Sequence, residues 1–128
     1  MAMQPIKNSR YAAGKIKVSS KDCAEEKGSK KMSKKIKKWA PEDFEMEMTT
    51  HWSFPKRGDW ATHDAKWRGN WSPYIPRNIL LRYSKEGDWI LDQFAGGGTT
   101  LVEAKLLNRN IIGVDVNETA LARCREKI

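Results

Sequence analysis

The chain has 128 residues, a net charge of +8, 31% charged residues and 39% hydrophobic ones, which bounds it to about one domain. No apolar run approaches the ~18 residues of a membrane-spanning helix, and the start "MAMQPIKNSR" lacks the apolar core of a signal peptide, so a cytoplasmic protein without a membrane partner is expected. Cys23 and Cys124 read as free thiols in a reducing compartment, and His51 and His63 have no cysteines at metal-binding spacing, so no metal site is expected.

The charge is unevenly placed. Residues 1–38 carry 12 Lys and Arg against 3 Asp and Glu, whereas residues 39–128 carry 12 against 13. Large apolar residues are few in the first 38 and no period is sustained, which predicts a disordered basic arm. Two roles stand side by side for it, a tail that grips nucleic-acid phosphates and a solvated extension. Met32, opening "MSKKIKKW", offers an alternative start.

From Trp39 the composition turns to Trp, Pro and Gly with little periodicity. Trp52, Trp60, Trp67 and Trp71 fall within twenty residues. A long irregular segment of this kind is functional or tied to a larger body. Stacking on bases is one role for these indoles; packing against a part of the fold outside this sequence is the expectation. "IPRNILLRYS" predicts a short helix over 76–84, with Pro76 in the first turn and Ile79, Leu80 and Tyr83 on one face. "KEGD" is a turn.

The last third is the most regular. "WILDQF" reads as a buried strand ending at an acid. Three glycines break it. "TTLVEAKLL" follows at helical spacing, with Thr99 placed as a cap. "NRN" turns the chain into a second β-rich run, "IIGVDV", also ending at an acid. "NETALARCREKI" then predicts a helix capped by Asn117, with Ala120, Leu121 and Cys124 on one face. The pattern is β, glycine loop, α, β, α, the opening of a parallel α/β sheet.

In such a unit a ligand sits at the carboxyl ends of the strands, against backbone N–H groups at the helix start. A nucleoside triphosphate wants a lysine closing the loop, and none is there. A dinucleotide wants G-x-G-x-x-G; Gly96 and Gly98 fit, but Leu101 takes the third place. Asp92 argues against a pyrophosphate, because like charges ~4 Å apart repel by about 4 kcal/mol at an effective dielectric of 20. It suits a ligand with an ammonium and a sulfonium, which is S-adenosylmethionine. Asp115 ends the second strand 19 residues beyond Gly96, where an acid accepts hydrogen bonds from ribose hydroxyls. Taken singly, Asp92 capping the turn and Asp115 capping the last helix are the simpler readings; taken together, in the right strand and helix context, the two acids favour the cofactor.

"LDQFAGGGTTLVEA" resembles the D-P-F-x-G-S-G-T-T motif of the DNA amino-methyltransferases, which methylate adenine or cytosine on the exocyclic nitrogen. "NRNIIGVDVN" is similar to their following G-R-x-x-I-G-x-[ED] run, and "WSPYIPRNILLRYSKEGDWILD" to the segment that covers the cofactor. The resemblance spans about residues 39–128. Gln93 stands for the usual proline and Gly97 for the usual serine, and neither change removes a group the ligand must touch. The resemblance implies an α/β, Rossmann-like methyltransferase domain over 39–128, with a cofactor-covering segment over 39–86 and the glycine loop and first two strands over 87–128. It implies that Asp92 sits near the methionine end of S-adenosylmethionine, that Phe94, Ala95, Gly96, Gly97, Gly98, Thr99 and Thr100 wrap it, and that Asp115 holds the ribose. Tyr74, Ile75 and Pro76 would line the same pocket.

The family's catalytic [DNS]-P-P-[YFW] loop accepts hydrogen bonds from the target amino group and stacks an aromatic ring on the flipped base. No such tetrapeptide occurs here, and "SPY" at 72–74 has one proline and lies in the covering segment. No target-recognition region follows. The expectation is therefore the amino-terminal piece of a DNA methyltransferase, truncated, split or disrupted, with no catalytic residue of its own. Its partners would be DNA and a second chain, or a missing carboxyl-terminal part, carrying the catalytic loop. Two other classes stay open: a non-catalytic nucleic-acid or partner-binding remnant of that fold, and a methyltransferase acting on RNA or protein.

Overall fold

The computed structural model describes residues 14–18 and 36–128. Over these the order is β1 (Gly14–Val18), α1 (Tyr74–Tyr83), β2 (Trp89–Asp92), α2 (Thr99–Leu106), β3 (Asn110–Asp115) and α3 (Glu118–Lys127). The strands form one sheet in the order β1-β3-β2. β2 and β3 are parallel, with Trp89 opposite Asn110 and Asp92 opposite Gly113. β1 lies antiparallel on the other side of β3, with Gly14 opposite Asp115 and Val18 opposite Ile111.

Successive strand residues point to opposite faces of a sheet, and the register sorts them cleanly. One face carries Ile16, Val18, Ile90 and Ile111. These pack with Leu80 of α1, Leu101 and Ala104 of α2, and Leu121 and Cys124 of α3 in a single core. Gly113 lies on this face, where a Cβ would stand 2.9 Å from a Leu101 methyl, so α2 rests directly on the β3 backbone. The other face carries Lys15, Lys17, Trp89, Leu91, Ile112 and Val114. Trp89 is 53% and Leu91 57% exposed, and the Lys17 ammonium stands 4.7 Å from the centre of the Trp89 ring. Among the described residues no helix covers this second face, although parallel strand pairs are ordinarily covered on both. No described helix is long and apolar enough to cross a membrane.

Four expectations need correction or refinement. The first is the basic arm. Most of residues 1–38 lies outside the described residues, but Gly14–Val18 is a strand, with Ile16 and Val18 8% and 7% exposed. "GKIKV" is a period-2 alternation too short to stand out in a lysine-rich stretch. The second is Thr99. It is the first residue of α2, and Gly98, with φ +78°, holds the cap position without a side-chain hydrogen bond. The third is α1, which begins at Tyr74. Pro76 is its third residue, where the N–H it lacks would have had no helical partner. The fourth concerns the tryptophans: Trp60 is 1% exposed and Trp67 packs on the glycine loop, so these two find their partners within the chain. Asn117 caps α3 as expected, accepting from the Thr119 N–H at 2.9 Å, and Ala120, Leu121 and Cys124 are buried.

The irregular segment before α1 is tied down by side chains rather than by a sheet. Buried Asn78 takes the Glu47 N–H on Oδ1 at 2.8 Å and donates from Nδ2 to the Glu47 carbonyl at 3.0 Å. Arg82, one turn on, donates to the carbonyls of Glu47 and Thr49.

Candidate functional site

β2 ends at Asp92 and β3 at Asp115, and because the strands are parallel both carboxylates lie at the same end of the sheet. Residues 93–98 join β2 to α2. Gly96 and Gly98 have φ of +47° and +78°, which side-chain-bearing residues resist. At Gly98 space decides as well, since a Cβ there would meet the Cys124 sulfur at 2.9 Å. The loop is fixed by its backbone. Ala95 N–H donates to the Val114 carbonyl at 3.0 Å and Gly98 N–H to the Ala95 carbonyl at 2.8 Å. Lys127 Nζ donates to the Gly97 carbonyl at 2.8 Å.

The two acids flank this loop. Asp92 Oδ1 accepts the Phe94 N–H at 3.0 Å; Oδ2 has no hydrogen-bond partner among the described residues. Asp115 Oδ1 accepts the Asn117 N–H at 2.8 Å and Oδ2 the Gly96 N–H at 2.7 Å. Both acids therefore build turns, and Asp115 does so without capping α3, which Asn117 does. Turn building leaves acceptor capacity, because each ionised carboxylate oxygen has a second lone pair.

A cleft of about 280 Å³ opens beside the loop, between Pro76, Ile79 and Leu80 of α1 and residues 90–94, with Trp71 and Thr100 at its margins. Its walls are mainly apolar, and among the described residues Asp92 is the one charged group lining it. Such a cleft fits a ligand with an apolar body and a cationic end.

Of the residues singled out from the sequence, Pro76, Asp92, Phe94 and Thr100 line this cleft. Ala95, Gly97, Gly98 and Thr99 are buried in the adjoining loop and helix start, Gly96 is half-buried, and Asp115 stands at the neighbouring strand end. Tyr74 and Ile75 do not line it. In a helix with 3.6 residues per turn, consecutive residues point ~100° apart, so 74, 75 and 76 cannot share one wall. Tyr74 stacks with Phe54 and Phe44 at ring distances of 5.4 and 6.3 Å and meets Trp60 edge-on. Its hydroxyl donates to Asp43 at 2.8 Å. Burial first, and then this carboxylate, push its phenol up to about 12.

The sequence reading missed a cluster beneath the site. Glu103 of α2 is fully buried. Its Oε1 accepts from Trp60 Nε1 and pairs with His63 Nε2, both at 2.7 Å, and Oε2 accepts from Arg77 Nη1 at 2.9 Å. The signal was an acid inside a helix whose neighbours Leu101, Val102 and Ala104 are all apolar. A second group was missed with it: Thr99 Oγ1 donates to Asn70 Oδ1, and Trp67 lies against Gly96 and Gly97.

A glycine loop thus leads from one of two parallel strands into a helix, with an acid closing each strand. The family model described as DNA methylase matches residues 6–126, and the chain belongs to that family, the DNA amino-methyltransferases. It is 46% identical over 55 residues to the type II methyltransferase M2.DpnII of Streptococcus pneumoniae, covering 43% of this chain and 20% of that protein. Over 75 residues it is 37% identical to the type II methyltransferase M2.LlaDCHI of Lactococcus lactis subsp. cremoris, covering 56% of this chain and 28% of that protein. Over 73 residues it is 37% identical to M.MjaI of Methanocaldococcus jannaschii, covering 56% and 24%. The matched stretches thus span less than a third of these relatives. No solved structure gives a significant match.

Proposed function

We propose that this chain is the S-adenosylmethionine-binding part of a DNA methyltransferase acting on the exocyclic amino group of adenine or cytosine, built on the start of a Rossmann-like sheet. The observation that carries this is the pair of carboxylates at the ends of adjacent parallel strands, one on each side of a glycine loop. Asp92, which lines the apolar cleft and has one oxygen without a hydrogen-bond partner among the described residues, suits the cationic end of the cofactor. Asp115 suits the ribose hydroxyls. Phe94 is 87% exposed at the cleft mouth and would gain cover from the ligand. When bound, the cofactor supplies an electrophilic methyl group. The chain's residues hold and orient it, with Pro76, Ile79 and Leu80 as the apolar wall against its body.

The second half of the chemistry has no residues here. An exocyclic amino nitrogen is a poor nucleophile, because its lone pair is delocalised into the ring. It needs acceptors on its hydrogens and a pocket that holds the base out of the stack. No [DNS]-P-P-[YFW] tetrapeptide occurs in the 128 residues, so a second chain or a further part of the protein supplies that loop. The open sheet face and the edge of β2 away from β3, unpaired among the described residues, are where such a part would pack.

Two measurements test this reading. Asp115→Ala is expected to weaken S-adenosylmethionine binding by roughly 1.5–3 kcal/mol, the range for hydrogen bonds to a charged group. Unchanged affinity by calorimetry would remove the ribose assignment. The 128-residue chain alone is expected to transfer no tritiated methyl group to mixed-sequence DNA. Transfer that disappears in Asp92→Ala would place the catalytic acceptors in this chain after all.

A further inference from the structure

We propose that Trp67 and Glu103 are positioning residues for the glycine loop: Glu103 anchors the segment 60–70, and Trp67 within it fills the space over Gly97 that a side chain there would need. This rests on the reading that the loop serves the cofactor. Gly97 is buried, and a Cβ built on it would lie 2.8 Å from Trp67 Cβ and 3.1 Å from Trp67 Cγ, with Asn70 Oδ1 at 3.3 Å. The first two contacts belong to the rigid base of the indole, so a side chain at 97 and a tryptophan at 67 exclude one another. The motif this loop resembles has serine at that place. Here Gly97 carries no side chain and Trp67 occupies that space.

The same segment holds the loop's far end, since the Thr99 hydroxyl donates to Asn70 Oδ1. Its own position is set in turn. Glu103 takes hydrogen bonds from Trp60 and Arg77 and pairs with His63. Arg57 Nη2 donates to the Asn70 carbonyl at 2.7 Å, and the Arg123 guanidinium lies 6.0 Å from the Trp67 ring centre. Glu103 makes no hydrogen bond to residues 94–98, so it acts on them only through the covering segment. Three successive glycines lose much backbone freedom when ordered. A segment that orders them beforehand removes that loss from the binding step.

The test uses the whole chain, Gly97→Ser, Trp67→Gly, the two combined, and the near-isosteric Glu103→Gln; glycine is needed at 67 because alanine would keep the Cβ that stands 2.8 Å from the added side chain. Amide exchange over residues 94–100 is read by mass spectrometry, and S-adenosylmethionine affinity by calorimetry. Gly97→Ser is expected to speed exchange over 94–100 and to weaken binding ~10-fold. Adding Trp67→Gly to it is expected to bring both readings back to within ~3-fold of Trp67→Gly alone, the non-additivity of residues in contact. Glu103→Gln, whose amide N–H₂ must face a donor, is expected to speed exchange over 60–70 and 94–100 together. Rescue by Trp67→Gly is an outcome that a general loss of stability would not give. Additive effects of Gly97→Ser and Trp67→Gly would overturn the proposal. So would tighter binding in Trp67→Gly, which would show an indole that blocks the loop rather than shapes it. A wild-type chain that binds no S-adenosylmethionine would overturn the cofactor reading, while the exchange results would still decide the positioning one.

Discussion

Glu103→Ala is expected to lower the unfolding free energy by about 3–5 kcal/mol, the range for removing one partner of a buried ion pair. Both Glu103 oxygens are occupied, and its partners come from three places in the chain: Trp60, His63 and Arg77. Without the carboxylate, Arg77 keeps a charge in a site where its Nε already has no partner. The Trp60 N–H, 1% exposed with its residue, loses its acceptor as well. Urea unfolding followed by tryptophan fluorescence measures this directly. Removing both members, as Glu103→Leu with Arg77→Met, is expected to recover part of the loss, because no charge is then stranded. A loss below ~1 kcal/mol for Glu103→Ala, the level of an exposed pair, would show that the network contributes little.

The second large effect lies at the other end of the chain. Ile16→Ala combined with Val18→Ala is expected to destabilise the fold by about 3–6 kcal/mol, taking ~1.5–3 kcal/mol for each buried aliphatic side chain. Both side chains join the core beneath α3. Lys15→Ala and Lys17→Ala, on the open face, serve as controls and should change stability by only ~0.5 kcal/mol. If the core pair proves as mild as the lysine pair, β1 is not part of the folded unit. The result also governs how a DNA-binding role for the basic residues is tested. Deleting residues 1–38 whole would remove a strand along with the charges, so the salt dependence of DNA binding should be compared after changing lysines outside 14–18.

What the sequence disclosed was local. Trp89–Asp92, the glycine loop, Thr99–Leu106, Asn110–Asp115 and the Asn117 cap are each specified by residues within a turn or two of one another. Asp92 and Asp115 were legible for the same reason, since each ends an apolar run. The missing parts depend on distant residues. Two apolar positions in "GKIKV" cannot announce a strand whose partner is β3. Trp60 and His63 meet Glu103 across 43 and 40 residues, and no spacing rule reaches that far. Thr99 was misplaced because its hydroxyl finds Asn70, 29 residues away, in place of its own helix start. The resemblance places Tyr74, Ile75 and Pro76 in one pocket, whereas in the helix that begins at Tyr74 only Pro76 of the three lines the cleft.

The pairing of β1 with β3 also has a consequence for the order in which the chain assembles. Gly14 meets Asp115 and Val18 meets Ile111, so among the described strands the one made earliest waits for the one made latest. The segment from β2 to α3 closes through short connections, whereas β1 must find its place across about a hundred residues, and such non-local pairings form slowly. At ~5–20 residues per second of synthesis, Ile16 and Val18 wait about 5–20 s before β3 exists to receive them. Throughout that interval they form a short β-prone segment with no partner. Lys15 and Lys17, interleaved with them, are the charges that keep such a segment from pairing with another chain. The alternation that hides the strand from a reader of the sequence is also what guards it while it waits.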